Sequence, residues 1–262
     1  MDLNLSKRHA VVCGSSQGIG RAIALELASL GATVTVLARN PERLESVVRE
    51  MKAEEDRPHG MIVADFSEAA QVKMAIDQFI AEGKTADILI NNTGGPPAGP
   101  AIDAKTQEFV QAFESHLLCN QLLTQALVPG MKKNKYGRIV NIISTSVKQP
   151  IVGLGVSNTI RGAVANWAKT LAGELGQFGI TVNNVLPGMT RTIRLDSIIQ
   201  NRADKRGVSV DEVAEEMKNE SPAKRFADSS EIAAAVGFLA SPAAAYINGI
   251  NLPVDGGRTR SL

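Results

Sequence analysis

The sequence predicts an α/β fold in which about seven parallel strands form one doubly wound sheet with helices on both faces. The first observation behind this prediction is a set of short apolar runs that recur along the whole chain. Continuous apolar runs are expected for strands that are buried on both faces of a parallel sheet. The predicted strands are 9–13, 33–37, 61–64, 87–90, 138–143, 180–186 and 250–254.

The second observation is a helical pattern between these runs. Residues 18–30 and 42–53 place apolar side chains on one helix face, namely Ile19, Ile23, Leu27 and Leu30 in the first and Leu44, Val47, Val48 and Met51 in the second. Strands that alternate with helices form right-handed βαβ units. No linker of biased composition divides the chain, so we expect a single domain over residues 1–262 with one long excursion at about 190–227.

The composition argues against several classes of function. A formal net charge of +1 and an aromatic content of 4% offer little to nucleic acid or to an anionic membrane. The uncharged segment 232–254 is interrupted by Pro242 and Pro253, so we expect no membrane helix there. Cys13 and Cys119 lack metal-ligand spacing and are expected to be buried free thiols, without a metal site. No signal-peptide pattern is seen, and we expect a cytoplasmic protein.

A glycine-rich turn follows the first predicted strand directly, in the stretch CGSSQGIGRAIALEL (13–27). Glycines at this strand–turn–helix junction let backbone N–H groups and a helix dipole face a pyrophosphate. The alternative is a tight turn that binds nothing. The predicted cofactor contacts in the turn are Gly14, Ser16, Gln17, Gly18, Ile19 and Gly20.

The end of the second predicted strand favours NADP(H) over NAD(H). NAD-selective sites usually place an acid there for the ribose 2′-hydroxyl, whereas this chain has Ala38 and Arg39 and no acid before Glu42. A guanidinium at this point can bind a 2′-phosphate through charge-assisted hydrogen bonds. A solvated surface arginine is the alternative.

Together with the glycine-rich turn, the motifs NNTG (91–94), PG (187–188) and GINLPVDGG (249–257) resemble the short-chain dehydrogenase/reductase family, which has a Rossmann fold. The branch of 3-oxoacyl-acyl-carrier-protein reductases is the most similar. The resemblance implies that Asp65 and Phe66 flank the adenine, and that further contacts to the cofactor come from Asn91, Thr93, Gly94, Pro187, Gly188 and Thr190. It also implies a homodimer or homotetramer, formed by the helices around 106–131 and 155–176.

The catalytic positions depart from that family. Its members carry a tyrosine and a lysine four residues apart on one helix, with a serine upstream and an asparagine on the preceding helix. When the stretch 167–188 is aligned with the family pattern, the positions of tyrosine and lysine hold Ser157 and Arg161. The upstream serine is Ser144, and His116 stands at the asparagine position. The chain's two tyrosines lie elsewhere in the sequence.

Serine is too weak an acid to replace a phenol, and arginine stays protonated, so ordinary family chemistry is expected to be slow. His116 can act as a general acid, or it can be a satisfied buried side chain. Arg161 can stabilise a developing alkoxide, bind an anionic group of the substrate, or merely fill space beside an unused cleft. The leading hypothesis is an NADP(H)-dependent oxidoreductase acting on a carbonyl or alcohol. The alternatives are a cofactor-binding sensor or oligomerisation partner, and a non-redox enzyme.

The excursion resembles a substrate lid of the kind that closes over an active site. Its basic side chains favour an anionic substrate, although neighbouring acids make a solvated charged face an equal alternative. These basic residues are Arg191, Arg194, Arg202, Lys205 and Arg206. The stretch 208–220 predicts a helix with Val210, Val213 and Met217 on one apolar face.

Overall fold

The computed structural model describes residues 1–51 and 57–261. Seven parallel strands form one sheet in the order β3-β2-β1-β4-β5-β6-β7, which confirms the predicted doubly wound sheet. Each predicted strand agrees with an observed one to within one residue at either end. The strands are β1 (His9–Cys13), β2 (Thr33–Ala38), β3 (Gly60–Val63), β4 (Ile88–Asn91), β5 (Gly137–Ile142), β6 (Ile180–Pro187) and β7 (Asn251–Val254).

Nine α-helices lie in the described part of the chain. They are α1 (Gly18–Ser29), α2 (Pro41–Glu50), α3 (Ala69–Ala81), α4 (Thr106–Phe113), α5 (Cys119–Asn134), α6 (Gly155–Leu175), α7 (Ile193–Arg206), α8 (Val210–Asn219) and α9 (Ser229–Ala240). Helix α2 begins at Pro41 because the Asn40 side chain accepts a hydrogen bond from the backbone N–H of Arg43. Of the predicted range 42–53, residues 52 and 53 lie outside the described residues.

Helices cover both faces of the sheet because successive strand side chains point in opposite directions. In β1, Val12 packs into one core together with residues of α1, α2 and α9. Its neighbour Val11 packs into a second core together with residues of α3, α5 and α6. Cys13 and Cys119 are buried in this second core as free thiols, as predicted.

The strand order reverses between β1 and β4, where the chain returns to the middle of the sheet. In open α/β sheets, ligands bind in the crevice beyond the carboxyl ends of the strands at such a reversal. The residues that follow β1, β4, β5 and β6 therefore converge on one edge of the sheet, and this edge carries every candidate site residue described below.

The excursion after β6 folds into α7 and α8, which share a small apolar core. This core includes Leu195, Ile199, Val213, Met217 and Phe226. The predicted apolar face of the second helix is therefore confirmed for Val213 and Met217. It is wrong for Val210, which begins α8 and is 42% exposed. Across the described residues, no helix combines the length and the apolarity needed to cross a membrane.

Candidate active site

The glycine-rich turn adopts a backbone that only glycine accommodates. Gly14 and Gly18 have φ angles of 59° and 57°, in the left-handed region that disfavours other residues. A Cβ on Gly14 would lie 2.5 Å from the Asn92 carbonyl oxygen, and one on Gly20 would lie 2.2 Å from the Gly14 carbonyl oxygen. Close packing of the turn therefore explains these glycines even before any ligand is considered.

The amino end of α1 opens beside this turn and is suited to an anion. Gln17 precedes the helix in an extended conformation without capping it, and the first turn of α1 carries no acidic residue. The first backbone N–H groups of a helix have no partner within it and carry partial positive charge. Ser16 and Ile19 are partly exposed here, whereas Ser15 turns inward and its hydroxyl donates to the Val12 carbonyl oxygen. The residues thus fit a dinucleotide pyrophosphate.

Arg39 stands at the end of β2 with 79% of its side chain exposed, 3.8 Å from the carboxylate of Asp65. Hydrogen bonds from Ser67, above all from its backbone N–H, lower the pKa of Asp65, and Arg39 acts in the same direction. The sequence has no acid directly after β2, but the fold places Asp65, which follows the neighbouring strand β3, beside Arg39. A phosphate bound by Arg39 must compete with this carboxylate.

Sequence reasoning missed a second cation at this place. Arg43, in the first turn of α2, donates from Nη1 to Oε1 of Gln17 in the glycine-rich turn at 2.5 Å. Two guanidinium groups therefore border the region beyond β2. The signal was present in the sequence, since an N-capping Asn40 predicts that Arg43 lies in the first helical turn.

Two asparagines at the carboxyl end of β4, Asn91 and Asn92, have structural roles. Asn91 begins a ladder across four strands, in which the side-chain amides of Asn91, Asn141 and Asn184 donate in turn to the next asparagine, at 2.8, 2.9 and 2.8 Å, ending at Asn251. Asn91 keeps one polar atom free, because its buried Oδ1 has no partner within the described residues. Its expected contact with the cofactor depends on that oxygen.

Asn92, which was not predicted, donates to the carbonyl oxygens of Cys13 and Gly14, both at 3.2 Å.

The loop that follows β4 brings Thr93 to His116. Helices α4 and α5 are joined by a π-helical turn over Glu114–Leu118, and His116 lies buried within it. Such turns are frequent at functional sites. Nδ1 of His116 and the Thr93 hydroxyl share a hydrogen bond of 2.5 Å. Gly94 is exposed next to this pair, and Phe66, across the sheet edge, is partly buried against the α3–α5 core.

His116 is electrostatically held in its neutral form. Burial lowers its pKa to about 2, and the positive charges of Arg161 and Arg194 act in the same direction. A general acid of this kind would need a populated imidazolium at neutral pH. The structure therefore argues against the hypothesis that His116 is the general acid, and favours the alternative of a hydrogen-bonded buried side chain.

Arg161 is a buried cation that pairs with no acidic residue in the part of the chain that the structure describes. It lies on α6 at 8% exposure, and its Nη1 donates to the Ile142 carbonyl oxygen at 2.9 Å. Its Nε is buried and has no hydrogen-bond partner among the described residues. Burial, with a smaller contribution from the charge of Arg194, lowers its pKa to about 10, so the guanidinium stays protonated at neutral pH. A buried charge left in this way is costly unless a ligand completes its bonding.

The two serines flank Arg161. Ser144 follows β5, and its hydroxyl oxygen accepts a hydrogen bond from the backbone N–H of Ser146 at 3.1 Å. Its hydroxyl proton remains available for donation. Ser157 is partly exposed on the first turn of α6, one helical turn before Arg161. The structure thus gathers Ser144, Ser157 and Arg161 at the carboxyl edge of the sheet.

The segment after β6 closes the other side of the cleft. Gly188 passes so close to Asp255 that a Cβ would lie 2.6 Å from its Cα, while Pro187 pairs with the end of β7. The Thr190 hydroxyl donates to the Gly188 carbonyl oxygen at 3.1 Å. Sequence reasoning missed Thr192, whose side chain caps α7 and faces Gly18, with a Cβ on Gly18 lying 3.3 Å from its Cγ2.

Neither tyrosine can take the place of the missing phenol. Tyr136 precedes β5 and donates its buried hydroxyl to the Ala240 carbonyl oxygen at 2.7 Å. Tyr246 is fully exposed and precedes β7. Both side chains therefore belong to the amino edge of the parallel sheet, opposite the cleft.

Comparison with known proteins points to reductases. A family profile described as enoyl-(acyl carrier protein) reductase matches residues 14–259. The chain is 30% identical to the NADPH-dependent reductase BacG of Bacillus subtilis over 259 residues, which are 98% of this chain and 100% of that protein. It is 34% identical over 253 residues to the 3-oxoacyl-[acyl-carrier-protein] reductase FabG of Staphylococcus aureus, with coverage of 95% and 97%.

The fold is also similar to the folds of solved reductase structures. The L-sorbose reductase of Gluconobacter frateurii, crystallised with NADPH and L-sorbose, has a TM-score of 0.93 and 30% sequence identity to this chain. The similarity covers 100% of both chains.

Proposed function

The chain belongs to the short-chain dehydrogenase/reductase family, and we propose that it transfers hydride between NADP(H) and a carbonyl or alcohol substrate at a divergent site formed by Ser144, Ser157 and Arg161. At the coarser level the chain is an oxidoreductase, and its cofactor is NADP(H), as it is for the NADPH-dependent relatives. The site is expected to follow the family's geometry but not its acid–base chemistry.

The chain's own residues fit this cofactor. The backbone N–H groups at the open amino end of α1 would hold the pyrophosphate. Arg39 and Arg43 would hold the 2′-phosphate through charge-assisted hydrogen bonds, which are stronger than the exposed contact between Arg39 and Asp65. Thr192 and the Pro187–Thr190 segment would cover the nicotinamide end. When bound, reduced NADP supplies the hydride.

The protein stabilises the negative charge that develops on the substrate oxygen. The Ser144 hydroxyl donates a hydrogen bond to that oxygen, and the protonated guanidinium of Arg161 lies beside it. None of the three side chains can release a proton readily at neutral pH, so water admitted past the half-exposed Ser157 protonates the product. Without a positioned acid, turnover is expected to be about 10²–10⁴-fold below that of a Tyr–Lys site.

One observation carries this proposal, namely the buried guanidinium of Arg161 with an unbonded Nε and no acidic partner in the described chain. An arginine that merely filled space would be expected to pair with a carboxylate or to reach solvent. An unpaired cation at this place is instead suited to bind a negative charge. That charge is either carried by the substrate or develops on its oxygen during the reaction.

The test is NADPH oxidation with a panel of ketones and oxo acids, comparing wild type with Ser144→Ala. We expect the variant to lose about 10- to 100-fold in kcat/KM with unchanged NADPH affinity, because it lacks a donor used mainly in the transition state. Thr170→Ala, which removes an exposed hydroxyl of α6, is the matched control and is expected to behave as wild type. An unchanged kcat/KM in Ser144→Ala would contradict the proposed role of Ser144.

A second candidate is a cofactor-binding protein without reductase activity. It is favoured by the neutral state of His116, since none of the site residues described above then titrates as an acid near neutral pH. Tight NADPH binding without oxidation by any member of the panel would favour this candidate over the first.

We also propose that the chain forms a homodimer or homotetramer through the α4–α5 and α6 helices. Val110, Phe113 and Leu118 are 55%, 40% and 44% exposed along α4 and the π-helical turn. Large apolar side chains clustered in this way on a helix surface are typical of an interface between subunits.

A further inference from the structure

Two arginines from different helices reach the carboxyl ends of the neighbouring strands β4 and β5. Arg161 comes from α6, and Arg194 comes from the first turn of α7 in the lid. Arg194 donates to the Gly95 carbonyl oxygen at 3.0 Å and to the Pro96 carbonyl oxygen at 3.3 Å, so it bridges the lid to the loop after β4. Because β4 and β5 are paired, the loop that Arg194 contacts lies next to the end of β5 that Arg161 contacts. In agreement with this placement, the charge of Arg194 lowers the pKa of both Arg161 and His116.

Neither arginine has an ion-pair partner in the described residues, and this sets Arg194 apart from three other arginines of the lid. Arg191 lies 3.7 Å from Asp228, Arg202 lies 3.9 Å from Glu220, and Arg206 pairs with Glu216 at 2.5 Å. These three pairs support the expectation of a solvated charged face. Within residues 1–51 and 57–261, Arg194 donates only to backbone carbonyls, and the buried Nε of Arg161 has no hydrogen-bond partner.

The phosphates of the cofactor are an unsuitable partner for this pair. These phosphates are expected at the glycine-rich turn and beyond β2. Arg161 instead contacts the end of β5, where it donates to the carbonyl oxygen of Ile142, two residues before Ser144. The pair therefore faces the place where the substrate, rather than the dinucleotide phosphates, is expected. An arginine also differs from a lysine here, because its planar donors match a carboxylate bidentately.

Resting on the proposed function of this site, we propose that the substrate is an oxo acid whose carboxylate is bound jointly by Arg161 and Arg194, next to the carbonyl that Ser144 contacts. Several guanidinium donors already serve backbone carbonyls, and those that remain suit the two oxygens of a carboxylate. In the forward reaction the carbonyl carbon gains a hydride, the C=O π bond breaks, and the oxygen takes a proton from water. NADPH is oxidised to NADP⁺ and the oxo acid is reduced to the hydroxy acid.

The experiment compares acids with their neutral esters in the full-length enzyme with NADPH. The probes are phenylglyoxylate, pyruvate and acetoacetate, each against its methyl ester. The variants are Arg194→Gln and, as the matched control, Arg202→Gln, which removes a paired arginine from the same helix. Arg194 is chosen first because it is not buried in the fold.

We expect at least one acid to exceed its ester at least tenfold in kcat/KM. Arg194→Gln should reduce that value for the acid by about 10- to 100-fold, the size of a lost charged hydrogen bond, and leave the ester unchanged. Arg202→Gln should change neither. The proposal is overturned if esters are reduced as well as acids, or if Arg194→Gln leaves the preference for the acid intact. Preference for a phosphate ester such as dihydroxyacetone phosphate also overturns it.

Failure of the proposed function is recognised separately. If NADPH binds but no probe is reduced, titration calorimetry of phenylglyoxylate and its methyl ester against the protein–NADP⁺ complex decides the matter. Binding of the acid alone, weakened in Arg194→Gln and kept in Arg202→Gln, supports the carboxylate site while reductase activity fails. Binding of neither compound, or of both equally, overturns the carboxylate site.

Discussion

The Thr93 hydroxyl and Nδ1 of His116 share a hydrogen bond of 2.5 Å that joins the loop after β4 to the π-helical turn between α4 and α5. The bond holds a buried imidazole at the edge of the cleft, where two arginines face it. Because burial and these positive charges oppose protonation, the histidine is neutral at the pH at which the enzyme is expected to work.

The first prediction concerns stability at acid pH. The folded-state pKa of His116, about 2, lies below its unfolded value near 6.5, so the unfolded chain binds more protons between these values. The contribution of neutral His116 to the free energy of unfolding is therefore fully present above pH 6.5. It is lost as the pH falls below this value, by about 2 kcal/mol at pH 5. Urea unfolding of wild type and His116→Asn at pH 7 and pH 5 measures this loss as a difference.

The loss of stability must be compared between wild type and His116→Asn, because a second histidine also loses stability at acid pH. Burial is the main cause that lowers the pKa of His9, so protonation of the unfolded chain at His9 destabilises the protein in the same direction. His9 is present in both proteins and cancels. An equal loss of stability in wild type and His116→Asn would show that His116 is protonated in the folded state.

The second prediction concerns the choice of cofactor. Arg39→Ala should weaken NADPH binding by about 10- to 100-fold and NADH binding by less than about threefold, because only NADPH carries the 2′-phosphate. Fluorescence titration with each dinucleotide measures both. Arg49→Ala, an exposed arginine of α2 that pairs with Glu45, is the control and should change neither. Equal losses for NADPH and NADH in Arg39→Ala would refute a 2′-phosphate contact.

The third prediction concerns the divergent catalytic pair. Installing a phenol and an amine with Ser157→Tyr and Arg161→Lys supplies the proton donor that the site lacks. Reduction of neutral ketones should rise at least tenfold, whereas oxo acids should lose their advantage because a lysine cannot pair bidentately. Steady-state NADPH oxidation with methyl phenylglyoxylate and phenylglyoxylate separates the two effects. A double variant slower than wild type on both compounds would indicate a site specialised around serine and arginine for the chemical step itself.

The fourth prediction concerns assembly. Phe113→Glu combined with Leu118→Glu places charges on the exposed face of the α4–α5 segment and should dissociate the oligomer, as measured by light scattering. Val210→Glu changes an equally exposed apolar residue on α8 and should leave the mass unchanged. A wild-type protein that is monomeric at micromolar concentration would disprove the proposed interface.

Local patterns in the sequence were sufficient for much of the fold. The strand at 180–186 was predictable because strands buried on both faces are rich in apolar residues, and four of these seven residues are apolar. The other three, Thr181, Asn183 and Asn184, are polar but buried as well. The turn at Gly14–Gly20 was predictable because glycine tolerates both a positive φ and a close backbone contact. The order of motifs then placed Ser157 and Arg161 on one helix face, four residues apart.

The electrostatic character of the site depended on residues that are distant along the chain. Arg194 donates to Gly95, which lies 99 residues away in the sequence. The packing of the lid also determines that Arg191 and Arg202 pair with acids, whereas Arg194 does not among the described residues. Likewise, tertiary packing decides that His116 is neutral, through burial and two nearby arginines. It also decides that Nε of Arg161 has no hydrogen-bond partner among the described residues. The sequence by itself determined the strands, the glycine turn and the family. The tertiary structure decided which charges are paired, because ion pairing and desolvation depend on neighbours in space rather than on neighbours in sequence.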